Sequence, residues 1–223
     1  MEFLDARRLT GPSLLADLPG AILDIACDAK EAEALVPAWT RHVERMLEDL
    51  GWDDSQLSLT YLSGGLSLFF NAPIDALYAA SEINEWAWAA CDAELNGAVE
   101  PDYEASLAAI RASIVEEANP DLLRFEAEAA AHDCTFLWDD DEVSIGLGKF
   151  SQTWPVRELP DLATLDWSQH GDVPIGLVTG TNGKTTTVRL ATHIMRSAEQ
   201  NVGLSSTDWI AVNDRIIDRG DWS

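Results

Sequence analysis

The chain has 223 residues, enough to bury a real core, and carries 39 acidic against 14 basic side chains for a net charge of −25. That balance excludes nucleic acid as an expected partner, because phosphate binding needs a basic face. No apolar run approaches the ~18–20 residues that span a bilayer, and MEFLDARRL holds no apolar secretory stretch, so no membrane partner and a cytoplasmic location are expected.

In chain order, GAILDIAC at 20–27 reads as a buried strand. From Glu31 to Leu50, Leu35, Trp39, Val43, Met46, Leu47 and Leu50 follow helical spacing, and Gly51 is placed to end the helix. LSLTYL at 57–62 and LSLFF at 66–70 alternate with period two around SerGlyGly and predict a hairpin. Pro73 opens a helix running toward Leu95, stopped by AsnGly at 96–97. Trp86 and Trp88 on that helix diverge, so one is expected in the core and the other in a contact. Two more helices fit 102–118 and 120–132, split by AsnPro, with Asp102 and Asp121 placed to favour their first turns. CTFLW and EVSIGLG, around the aspartates at 139–141, predict a second hairpin. Asp139, Asp140, Asp141 and Glu142 read as a solvated tip, with a divalent cation as the sharper alternative. Cys27, Cys91 and Cys134 are far apart and form no CxxC pair, which reads as buried thiols rather than a disulfide or zinc framework.

Residues 151–173 hold prolines, tryptophans and aspartates with no periodicity and read as a surface linker. After Pro174 the pattern becomes strand (Ile175–Thr179), loop, helix (Lys184–Gln200), strand (Val202–Ser206), then a hairpin turned by AsnAsp at 213–214. The expected architecture is therefore an α+β domain over 1–150, a linker, and at 174–223 the first strand–loop–helix–strand unit of a parallel α/β P-loop domain. A complete doubly wound domain needs several such units to cover its sheet.

The loop itself is TGTNGKTTT at 179–187. It is shorter than the G-x-x-x-x-G-K-[ST] pattern, since Val178 stands five before Gly183. The physics is the same: glycines let backbone N–H groups converge on phosphates, and the helix opening at Lys184 turns its positive end toward them. Gly180, Thr181, Asn182, Gly183, Lys184, Thr185 and Thr186 are the candidate ATP-binding residues. Lys184 is the candidate catalytic group, reaching the β and γ phosphates, and the Thr185 hydroxyl is the candidate Mg²⁺ ligand. Lys30, Lys149 and Lys184 are the only lysines.

TGTNGKTTT resembles the ATP loop of the Mur ligase family of amide-forming ligases. GLSSTDWIAVNDRIIDRGDWS at 203–223 is similar to the cyanophycin synthetase branch, with Trp209 where that branch has glycine. RRLTGPSLLADLPGAILDI at 7–25 and AEAAAHDCTFLWDDDEVSIGLGKF at 127–150 resemble that branch's N-terminal domain. The resemblance implies ATP-driven activation of a carboxylate as an acyl phosphate, attacked by an amine, with Mg²⁺ as the ion. It implies a small-molecule amino acid or peptide substrate. It also implies that the glutamate, histidine and C-terminal domain completing the site lie past Ser223, so that 1–223 alone is expected to be inactive. The ATP-grasp domain that separates the two parts in that branch has no counterpart here. Thr207 and Asp208 match the strand-end motif that faces substrate; a plain turn before the hairpin is the other reading.

A second expectation is a non-catalytic module whose acidic surface holds a basic peptide or polymer beside an incomplete ATP site. A P-loop kinase or GTPase is a third, with Asp208 as its acid, but the chain has no NKxD-like stretch. His193 reads as a surface or packing residue, and homo-oligomerisation is left open.

Overall fold

A computed structural model describes residues 1–13 and 15–222. The chain divides into two compact units, Met1–Val173 and Pro174–Ser223.

The first unit is built on a four-stranded antiparallel sheet, β1 (Glu2–Leu9), β2 (Gly20–Ala26), β4 (Gly65–Asn71) and β3 (Leu57–Leu62), in that spatial order. Helices α1 (Ala29–Leu50) and α2 (Leu77–Asn96) pack on one face. Ala21, Leu23 and Ile25 of β2 stand opposite Phe70, Leu68 and Leu66 of β4, and all six are buried. Leu35, Trp39, Val43 and Met46 of α1 and Ile83 and Ala87 of α2 complete this core. Inside it Trp39 Nε1 donates to Asn84 Oδ1 at 3.0 Å, while Asn84 Nδ2 finds no partner among the described residues.

Local sequence explains the helix limits. Asp28 and Glu31 form a reciprocal capping box at the start of α1, and Gly51 ends it in the left-handed region. Asp102 caps α3 (Tyr103–Glu117). In α4 (Pro120–Ala131) the cap is Asn119, whose side chain accepts from Leu122 N; Asp121 lies in the first turn. The residue before α2, Ala76, offers no side-chain cap. Glu117, at the far end of α3, supplies one, accepting from Tyr78 N at 2.9 Å and Ala79 N at 2.6 Å. Burial raises the pKa of that carboxyl.

Two features of this unit differ from the sequence reading. The eight residues of β1 form an edge strand that the sequence did not announce, because charged residues interrupt it and its pattern does not alternate. Segment 151–173 is not bare: β7 (Gln152–Pro155) joins β5 (Phe136–Trp138) and β6 (Glu142–Ile145) in a three-stranded sheet. Trp154, Leu159, Leu162 and Leu165 pack there with Phe125 and Val143. The acidic tip is exposed, as the sequence reading had it, and two of its carboxylates are bound by its own neighbours. Asp139 Oδ1 accepts from the amides of Asp141 and Glu142, and Asp140 takes a bidentate contact from Arg8, both at 2.6 Å, plus the Tyr78 hydroxyl at 2.9 Å.

The second unit holds α5 (Lys184–Ser197) and an antiparallel sheet, β8 (Gly203–Ser205), β9 (Trp209–Val212) and β10 (Arg215–Arg219). The β9–β10 hairpin turns at Asn213, which stands at φ 52. Residues 175–179, read as a strand, carry no ladder, and Ile175 and Leu177 are 59% and 92% exposed. A parallel strand needs crossover partners and cover on both faces, and among the described residues none pairs with it.

Candidate functional site

Two glycines shape the loop. Gly180 stands at φ 140 and Gly183 at φ 81, ψ −3, backbone conformations that side chains with a Cβ avoid. Gly183 is the N-cap of α5, and having no side chain it leaves the first-turn N–H groups without a side-chain cap. The first intrahelical bond runs from Thr187 N to Gly183 O at 2.9 Å. A helix start of this kind is electropositive and suited to an anion.

The Lys184 ammonium turns back over the loop and donates to Gly180 O at 2.9 Å. Thr185 Oγ1 lies 3.2 Å from Thr207 Oγ1, so the start of α5 and the turn after β8 meet at one point. Thr181, Asn182 and Thr186 are exposed along the same loop. The structure thus gathers Gly180, Gly183, Lys184 and Thr185, and brings Thr207 beside them. Asp208 is paired elsewhere: Arg189 Nη2 reaches its Oδ2 at 2.5 Å, and the same guanidinium lies 4.3 Å from the Trp209 ring centre. The sequence did not single out Arg189 or Trp209 for this pairing, since the contact joins residues 19 apart across a turn.

His193 is exposed beside a shallow cavity of about 270 Å³ that is also lined by Arg189, Thr192, Arg196 and Trp209. Among the described residues no three His, Cys, Asp or Glu side chains gather as metal ligands.

Two glycines thus bracket a loop that opens a helix, with a lysine folded over it. No protein-family model matches the chain. Part of it is similar to cyanophycin synthetases: 53% identical over 49 residues to that of Synechocystis sp., and 49% identical over 49 residues to that of Crocosphaera subtropica. It is 47% identical over 53 residues to that of Trichormus variabilis. The matches cover 22–24% of this chain and 6% of each relative, so the chain spans only a small part of the proteins it matches.

Proposed function

We propose that residues 174–222 form the phosphate-binding part of an ATP-dependent carboxylate–amine ligase, the opening unit of a P-loop domain of Mur type. The observation that carries it is the loop: Gly180 and Gly183 at positive φ, an α5 start without a side-chain cap, and Lys184 held over the gap at 2.9 Å from Gly180 O. The similarity to cyanophycin synthetases supports the ligase class over a kinase or GTPase.

In this reading the loop amides from Gly180 to Thr186 hold the β and γ phosphates. Lys184 releases the Gly180 carbonyl and moves to the γ phosphate, where its charge offsets that of the transferring phosphoryl group. Thr185 Oγ1 would hold the Mg²⁺ that accompanies the nucleotide, and the ion would supply further charge neutralisation. The substrates are a carboxylate and an amine, of amino acid or peptide type.

The test is backbone amide NMR of the whole chain titrated with Mg·ATP, inorganic triphosphate and adenosine. The expected result is shifts at 180–187 with the two triphosphates and none with adenosine. Unmoved loop amides at saturating nucleotide, or shifts confined to other residues, overturn the reading.

A further inference from the structure

The strand β3 is an edge of the first unit's sheet, and its register fixes which backbone groups it offers. Leu62 faces Gly65 across the two-residue turn Ser63–Gly64, which makes that pair a hydrogen-bonded one. Alternation along the ladder makes Thr60–Ser67 and Ser58–Phe69 bonded pairs too, and the bond from Asn71 N to Gln56 O at 3.3 Å falls in the same series. Leu57, Leu59 and Tyr61 therefore turn their N–H and C=O groups outward, along the open edge. Their side chains lie on the helix-bearing face, yet Leu59 is 40% and Tyr61 64% exposed.

Such an edge is a template for another strand. Its charge selects which. None of the six residues of β3, Leu57–Leu62, is charged, in a chain of net charge −25. The opposite edge, β1, carries Glu2, Asp5, Arg7 and Arg8. Two copies of so acidic a chain repel over most of their surface, and an uncharged edge is where they approach. A cationic partner finds no carboxylate on β3 to pair with.

We propose that β3 is the site where two copies of this chain associate, edge to edge and antiparallel, in a register centred on Leu59. Leu59 then faces Leu59 of the second copy, and Leu57 faces Tyr61. Each of these pairs exchanges both backbone bonds, since all three residues point their backbone groups outward. The four strands of each copy merge into one continuous sheet, and the exposed Leu59 and Tyr61 side chains cover one another.

Sedimentation equilibrium of the whole chain at low and high salt tests this. The expected result is a reversible monomer–dimer equilibrium that tightens as salt screens the like charges. Tyr61→Glu, at an exposed position, should leave a monomer whose melting curve matches that of the parent at concentrations where the parent is itself monomeric. Leu59→Cys should form a thiol-reversible dimer under oxidation where the parent chain does not, which decides the matter if Tyr61→Glu fails to fold. A chain monomeric at every salt and concentration overturns the proposal. So does a dimer that survives Tyr61→Glu or loosens with salt, an unlinked Leu59→Cys, or a basic peptide occupying β3 in its place.

Discussion

Lys184 Nζ lies 2.9 Å from the carbonyl oxygen of Gly180, four residues back, so the lysine closes its own loop. An ammonium resting on a carbonyl is satisfied only weakly, and it exchanges that acceptor readily for a phosphate oxygen. Lys184→Ala is therefore expected to remove the loop's response to Mg·ATP. Stability should stay within about 0.5 kcal/mol of the parent, because the residue is no part of a core. Amide shifts and a denaturant midpoint on the same sample check both halves.

Gly183 tests the loop's shape separately from its charge. A Cβ built there meets no atom within 4 Å, so any cost comes from φ 81 alone. Gly183→Ala should weaken the start of α5 by about 1 kcal/mol. Amide hydrogen exchange at Thr187, whose N–H bonds to Gly183 O, should quicken about fivefold, by the usual relation of free energy to opening.

In the core, Trp39 Nε1 is the partner of Asn84 Oδ1. Trp39→Phe removes that donor and leaves a gap in the layer between α1 and the sheet. The expected loss is about 2–4 kcal/mol of unfolding free energy, measured by urea denaturation.

The Arg8–Asp140 contact predicts a pH effect. Hydrogen bonds from Arg8 hold the Asp140 carboxyl below its ordinary pKa, burial opposes them, and the Tyr78 hydroxyl adds to the lowering. A depressed carboxylate stabilises the fold above its unfolded pKa, and the contribution is lost as pH falls through the folded value. Asp140→Asn should therefore narrow the difference in stability between neutral and strongly acid pH. Asp140 is half exposed, so the change at neutral pH should not exceed about 1 kcal/mol.

Much of this fold was legible because its signals are local. The apolar spacing of Leu35, Trp39, Val43 and Met46 needs no knowledge of the sheet it meets, and Gly51 and Gly97 end their helices by conformation alone. β1 was missed because its pattern is set by a neighbour: Arg7 and Asp5 face outward beside Asp24 of β2, a pairing visible only once the strands are side by side. Segment 151–173 was read as a linker because Trp154, Leu162 and Leu165 follow no period; they pack one by one around Phe125 and Val143. Ile175–Thr179 has the composition of a strand without a ladder, since composition cannot supply a partner. At the loop, Gly180, Gly183 and Lys184 could be read directly, whereas the meetings of Thr185 with Thr207 and Arg189 with Asp208 depend on how the chain returns.

The scarcity of lysine has a practical consequence. Between Pro174 and Ser223 the sole primary amine is that of Lys184. An amine-directed acylating reagent, followed by mass spectrometry of the peptide spanning the loop, reads the occupancy of this one position without any engineered probe. A phosphate ligand that draws the ammonium into an ion pair should shield it, so the labelling rate becomes a titration curve for the loop in the unaltered chain.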